Sequence, residues 1–262
     1  MEILIPVIAL GSLGLLFGLG LAVASKKFCL VADAKLEKVF EMLPGSNCGA
    51  CGMAGCMGFA EGLVKGICAV QNCTVSTPDA KEEIAKVLGV TVEEKVKTVA
   101  VLHCNGGNKV KDRIIYQGLR NCIAANQLQG GQKACIYGCL GFGTCADECP
   151  FGAISMGQEG LPVVDEAKCT ACGKCVKACP KNLFKLVAVD KKFYVACSSH
   201  DIGKKVMQAC KVGCIACRKC EKVCPVSSIR VIDNLAVFDY DTCRNSSDCV
   251  EVCPTKVIKK RS

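Results

Sequence analysis

Two stretches of this chain carry cysteines at a spacing that leaves a folded domain little choice of contents. Cys169, Cys172, Cys175 and Cys179 precede Pro180, and Cys214, Cys217, Cys220 and Cys224 precede Pro225, so each stretch reads CxxCxxCxxxCP. Bacterial ferredoxins hold [4Fe–4S] clusters in this run, and the fourth cysteine of each run serves the other cluster of the pair. The chain has no Trp, 4 Tyr and 9 Phe in 262 residues, which argues against a large aromatic core. Small Cys-rich modules fold around their cofactors instead, because metal-binding energy is also folding energy.

Each full run has an incomplete companion. Cys139, Cys145 and Cys149 precede Pro150 with Phe142 in the second ligand position, and Cys243, Cys249 and Cys253 precede Pro254 with Ser246 there. Cys135 lies just before the first incomplete run and can swing in for the missing thiolate. Cys210 holds the same place in the second unit, where Cys217 is present. Ser246 has no such neighbour. Crossed ligation then predicts one cluster on Cys135, Cys139, Cys145 and Cys179, and its partner on Cys149, Cys169, Cys172 and Cys175. A third falls on Cys214, Cys217, Cys220 and Cys253. The last site has Cys224, Cys243 and Cys249, and three readings stay open for it: a [3Fe–4S] cluster, a serine-ligated cube, or an empty site. Cys104, Cys122 and Cys197 are unassigned. Cys104 and Cys197 each follow a short apolar strand and precede a unit, as equivalent positions in a duplication would.

A separate set lies upstream. Cys48, Cys51, Cys56 and Cys73 have the spacing CxxC, four residues, C, sixteen residues, C, in a glycine-rich loop. Four thiolates suit a cube, and the glycines let backbone N–H groups approach the sulfurs. Zinc accepts four thiolates too, but the tight loop favours iron–sulfur. Cys68, between the third and fourth ligands, reads as an apolar filler. The prediction is therefore at least four [4Fe–4S] clusters, with a fifth site left open.

Around these sets, residues 33–43 read as an amphipathic helix. Thr77 and Pro78 open a helix that runs to Leu88 and ends at Gly89. Thr98–Leu102 reads as a strand, as do Leu161–Val164 and Leu186–Val189. Ile229–Ile232 and Leu235–Phe238 read as a hairpin. His103 and His200, the only histidines, read as solvated side chains.

The N-terminal run Ile3–Ala24 carries no charge over 22 residues. As a helix it spans roughly 33 Å, enough for a bilayer core. A signal peptide fits less well, since the start has Glu2 and no Lys or Arg. Lys26 and Lys27 put the body on the cytoplasmic side. In that compartment, 25 clustered cysteines argue for metal rather than disulfides. Cys29, just past the helix, has the open readings of a packing residue or a palmitoyl site. The net charge of +9 suits an acidic protein partner or anionic headgroups. No basic run with interleaved aromatics points to nucleic acid.

The expected fold class is α+β. Its parts are a transmembrane anchor (1–28), a four-Cys domain (29–90), a linker with a strand and Gly-rich loops (91–134), and two ferredoxin-like modules (135–190 and 191–262). A zinc-binding regulator and a redox sensor are the rival functions. The runs ending in CP count against the first, and the lack of an output domain in the sequence counts against the second.

The apolar anchor followed by NCGACGMAGCMGFAEGL, then CIYGCLGFGTCADECPFGAI and CTACGKCVKACPKNLF, resembles the B-subunit family of Rnf complexes in its anaerobe-type form. The resemblance is to most of the chain, and Ser246 departs from the ferredoxin pattern. It implies an iron–sulfur subunit of a membrane-bound, ion-translocating oxidoreductase. Such a subunit accepts electrons from soluble ferredoxin and relays them to partner subunits that reduce NAD and export Na⁺ or H⁺. The expected place is the cell (inner) membrane, single-pass, with the body in the cytoplasm. In agreement, the sequence has no GxGxxG, P-loop or acid–base pair of its own.

Overall fold

A computed structural model describes residues 4–27, 34–92 and 96–261. Cys29 lies outside them. The chain opens with α1 (Leu4–Lys27), 24 residues long. From Val7 to Val23 its large apolar side chains are 54–71% exposed where described. Among the described residues no helix is long and apolar enough to cross a membrane, so the transmembrane anchor expected at 1–28 is not borne out there.

Three helices build the next body: α2 (Ala34–Glu41), α3 (Gly55–Val64) and α4 (Pro78–Leu88). Val39, Phe59 and Ile84 fill its centre, with Cys56 and Cys73 in the same core. The caps of α4 follow from its sequence. Thr77 Oγ1 accepts from the Ala80 N–H at 3.3 Å, and Gly89 takes φ +74° at the C-cap, the left-handed end that glycine adopts without a Cβ penalty.

The rest is one plan used twice. The first unit runs β1 (Thr98–Leu102), α5 (Cys122–Gln127), α6 (Thr144–Asp147), β2 (Ile154–Met156), β3 (Pro162–Val164), α7 (Lys174–Ala178) and β4 (Phe184–Ala188). The second runs β5 (Phe193–Val195), α8 (Gly203–Ala209), α9 (Lys219–Val223), β6 (Ile229–Ile232), β7 (Leu235–Phe238), α10 (Asp248–Glu251) and β8 (Ile258–Lys260). In each, the first strand pairs antiparallel with the last, and the middle two form a hairpin. Asp233 and Asn234, at φ +46° and +62°, make the two-residue turn of β6–β7, with both central residues left-handed as such turns require.

The strand at 98–102 is thus not linker. It pairs with β4 from Thr98↔Ala188 to Leu102↔Phe184, so part of segment 91–134 builds the first module. The strand expected at Leu186–Val189 starts earlier, at Phe184, and ends at Ala188. Both cores are lined with sulfur: Val99, Phe184 and Val187 pack with Cys145, Cys169 and Cys175, and Phe193, Ile229 and Ile258 pack with Cys214, Cys220 and Cys249. Cysteine, a small hydrophobe when not ligating, here takes the place of aromatic bulk.

The C-terminal end closes back on the first unit. Arg261 forms a two-bonded pair with Glu166, at 2.8 Å from Nε and 2.7 Å from its terminal nitrogen, and also donates to the carbonyls of Ala188 and Lys191. Its side chain is only 6% exposed, against 28% for Glu166. Removing one partner leaves a buried charge unmatched. Arg261→Met should lower stability by about 2–4 kcal/mol, less than for a wholly buried pair because Glu166 reaches solvent. An unchanged thermal midpoint in anaerobic melts would refute this.

Candidate iron–sulfur sites

The cysteine runs share a backbone device. Two residues after the first cysteine of each run stand Gly141, Ala171, Ala216 and Asn245, at φ +80°, +56°, +54° and +58°. A left-handed residue turns successive N–H groups inward, as anion-binding nests do. Outside these turns, further N–H groups donate to sulfur: Ala100 to Cys169 Sγ at 3.5 Å, Leu183 to Cys179 Sγ at 3.4 Å and Ser228 to Cys224 Sγ at 3.3 Å. Such bonds stabilise thiolates and tune cluster potential.

In the helical body, Cys56 is the second residue of α3, and its N–H donates to Asn47 Oδ1 at 2.7 Å. Gly55 leaves room for that contact, since a Cβ there would lie 2.7 Å from the same oxygen. Cys48 and Cys51 flank this turn, and Ser76 Oγ donates to Cys73 Sγ at 3.1 Å. Cys68 turns its thiol toward the Phe59 carbonyl at 3.6 Å and against Gly62, and burial, with Cys51 contributing, pushes it up.

Four further sets sit in the modules. Cys149, Cys169, Cys172 and Cys175 line one cavity with Phe151 and Ile154. Burial pushes the Cys175 thiol up to about 12, and Cys169, Cys172 and Cys149 add to it. Cys214, Cys217, Cys220 and Cys253 line a second, with Val231 and Ile258, and burial followed by Cys214 pushes Cys220 up to about 12. Groups of buried thiols this close stay protonated unless cationic irons share their charge. In the last set, burial pushes Cys249 up to about 11, and Cys224 and Cys243 add to it. Ser246 follows left-handed Asn245, in the place a second ligand takes in the complete runs.

The remaining cavity departs from expectation. Cys139, Cys145 and Cys179 line it together with Cys122, not Cys135. Burial pushes Cys145 up to about 12, with Cys122 and Cys179 the next causes. The loop 111–134 brings Cys122 there. It closes through the Asp112–Lys133 bridge and through Arg113, which holds the Gly131 carbonyl. Asn121 then caps α5, and the Cys122 N–H donates to Thr144 Oγ1 at 2.9 Å. Phe142, in the ligand's usual place, turns to Tyr116 instead, ring centroids 5.4 Å apart. Cys135 lines another cavity on the far side of Cys139, with Cys104, Cys197 and Cys210.

His103 is not solvated. It is 7% exposed, its Nδ1 sits 2.8 Å from the Val195 carbonyl, and burial with the Lys185 charge holds it down at about 4, so it is neutral. His200 is exposed and lies beside Tyr137.

Among the described residues, no three of His, Cys, Asp and Glu close on a point that could hold a single metal ion. In the module cavities the thiolates surround a volume lined by apolar side chains. Soft sulfur donors, one for each iron of a cube, with N–H groups on the sulfurs, fit an iron–sulfur cluster.

Cysteine sets of this make-up on duplicated α+β modules define an iron–sulfur electron-transfer protein. Family models agree along the chain: "Putative Fe-S cluster" matches 43–75, "4Fe-4S binding domain" matches 162–185, and "4Fe-4S dicluster domain" matches 213–257. Three relatives cover nearly all of it. The B subunit of the Na(+)-translocating ferredoxin:NAD(+) oxidoreductase complex of Acetobacterium woodii is 44% identical, over 98% of this chain and 77% of its own length. The B subunit of the ion-translocating oxidoreductase complex of Methanosarcina acetivorans is 43% identical, over 96% of each chain. The proton-translocating counterpart from Clostridium ljungdahlii is 41% identical, over 94% and 88%. The chain belongs to the B-subunit family of ion-translocating ferredoxin:NAD(+) oxidoreductase (Rnf) complexes. It is the iron–sulfur subunit of such a membrane-bound complex.

Proposed function

We propose that this chain takes electrons from reduced ferredoxin and relays them to partner subunits of the complex. Its ligand sets are Cys48, Cys51, Cys56 and Cys73; Cys122, Cys139, Cys145 and Cys179; Cys149, Cys169, Cys172 and Cys175; Cys214, Cys217, Cys220 and Cys253; and Cys224, Cys243 and Cys249 beside Ser246. Bound there, each cluster accepts and passes on one electron at a time. The chain's own residues supply the rest. Leu102, Leu183 and Phe184 keep water from one cavity and Val231 and Ile258 from another, and backbone N–H groups stabilise the sulfurs.

The observation that carries this reading is the closeness of successive sets. Cys175 of one set acts on Cys145 of the next. The chain's basic balance of +9 supports steering of an acidic donor. For attachment to the membrane-bound complex, α1 carries the uncharged run and exposes its apolar side chains, and the Lys26–Lys27 pair after that run supports a cytoplasmic place for the modules. Downstream, the reading resembles what the relatives' names state: NAD reduction coupled to Na⁺ or H⁺ movement elsewhere in the complex.

The test is anaerobic purification followed by metal analysis and titration with reduced ferredoxin. Iron and sulfide in equal amounts, with absorbance bleached by ferredoxin, is the expected result. Zinc in place of iron, or clusters that dithionite reduces and ferredoxin does not, would overturn it.

A further inference from the structure

We propose that Cys104, Cys135, Cys197 and Cys210 hold a further [4Fe–4S] cluster at the junction of the two modules. The proposal rests on the iron–sulfur reading above and adds a site outside every crossed pair. All four cysteines line one cavity. Their sulfurs are near one another: a point at the Cβ position of Gly106 lies 3.7 Å from both Cys104 Sγ and Cys210 Sγ. Burial pushes the Cys135 thiol up, with Cys104 and Cys210 contributing. Burial pushes Cys197 up to about 11, with Cys214 and Cys135 contributing. Two sulfurs already accept backbone N–H bonds, Cys104 from Cys139 at 3.4 Å and Cys197 from Ser199 at 3.4 Å.

The duplicated plan explains why the four meet. Each unit contributes the same two positions. Cys104 and Cys197 lie just past the first strand of their units, β1 and β5. Cys135 and Cys210 lie four residues before the first cysteine of their runs, Cys139 and Cys214. The units face each other across this point. His103 Nδ1 is 2.8 Å from the Val195 carbonyl, and Ser198 Oγ donates to the His103 carbonyl at 3.0 Å. Small residues keep the space open. A Cβ on Gly213 would stand 2.6 Å from Val206, and one on Gly106 would stand 2.7 Å from Val110.

The position gives the site its role. On one side Cys139 lines this cavity as well as that of Cys122, Cys145 and Cys179. On the other, Cys197 is close enough to Cys214 for the two to affect each other's charge. Cys104, Cys135, Cys197 and Cys210 would hold a cluster between the set of one module and the set of the next, where it would let electrons cross between modules inside the protein.

The experiment is iron, acid-labile sulfide and zinc per chain on the full-length protein, purified without oxygen, beside Cys104→Ala, Cys197→Ala and the double variant. Cys68→Ala, outside every set, is the control. About 23 or 24 irons are expected in the parent, and about four fewer in each single variant. The double variant should lose no more than either single one, because both residues serve the same cube. About 19 irons in a parent that shows the three-iron EPR signal of the last site, or unchanged iron in both variants whatever the parent's count, would overturn the proposal and leave the electron-relay reading intact. So would one zinc per chain that the variants lose while keeping their iron. A parent with zinc and almost no iron would sink the electron-relay reading itself. Cys135→Ala and Cys210→Ala repeat the test at the other two ligands, so one substitution that fails to fold does not blunt it.

Discussion

Cys122→Ala will cost the protein about four irons and four sulfides, although Cys122 lies outside every ferredoxin run. The reason is the cavity it shares with Cys139, Cys145 and Cys179. Cys139 and Cys145 are each pushed up to about 12, chiefly by burial. Without iron both are protonated at neutral pH, and the apolar Phe142 at the fourth place offers nothing like the Ser246 hydroxyl that stands beside the three thiols of the last set. Alanine at 122 removes one corner, and at the position where a run would supply a substitute stands Phe142. Cys135→Ala should also lose about four irons, but from the junction site, so the Cys122→Ala, Cys135→Ala double variant should lose about eight. The alternative wiring, with Cys135 as the fourth ligand beside Cys139, makes the opposite forecast: Cys122→Ala would leave iron unchanged. Iron analysis with EPR spin counting on the reduced protein separates the two.

Ser246→Cys should do the reverse and add about one iron per chain. The last run keeps the left-handed residue of the other three, Asn245 at φ +58°, and its Cys224 and Cys243 lie close enough to act on Cys249. The loop is shaped for a ligand at 246 and carries a hydroxyl there. We expect the oxidised parent to show a three-iron EPR signal. In the variant that signal should disappear and a reducible four-iron signal should replace it. A variant with the parent's iron content and the parent's spectrum would refute the assignment.

Much of this was legible from local signals. The helix 78–88 was written in Thr77, Pro78 and Gly89, and the β6–β7 hairpin in two apolar runs around Asn234, because caps and tight turns depend on a few neighbouring residues. The α+β class followed from the runs themselves. What the sequence hid was brought together over distance. Cys122 lies thirteen residues from Cys135 and seventeen from Cys139. Only the loop closed by Asp112, Lys133 and Arg113 delivers it. The outer pairing of β1 with β4 joins strands on either side of two cysteine runs, so 98–102 looked like linker. His103 looked solvated because nothing local shows that the second module covers it. The one hint was the matched placement of Cys104 and Cys197 in the two repeats. It pointed to a duplication but not to where the two copies meet.

The outer strand pairs have a consequence for growth. Thr98 lies beside Ala188, and Phe193 beside Lys260, so each unit begins and finishes at one edge. A unit with adjoining ends can be copied in tandem while its neighbour's interior stays as it was. If each contact between copies also makes a junction of the kind proposed, every added copy contributes three redox stops rather than two. The reach of the conductor could then lengthen in modular steps without a gap opening between them.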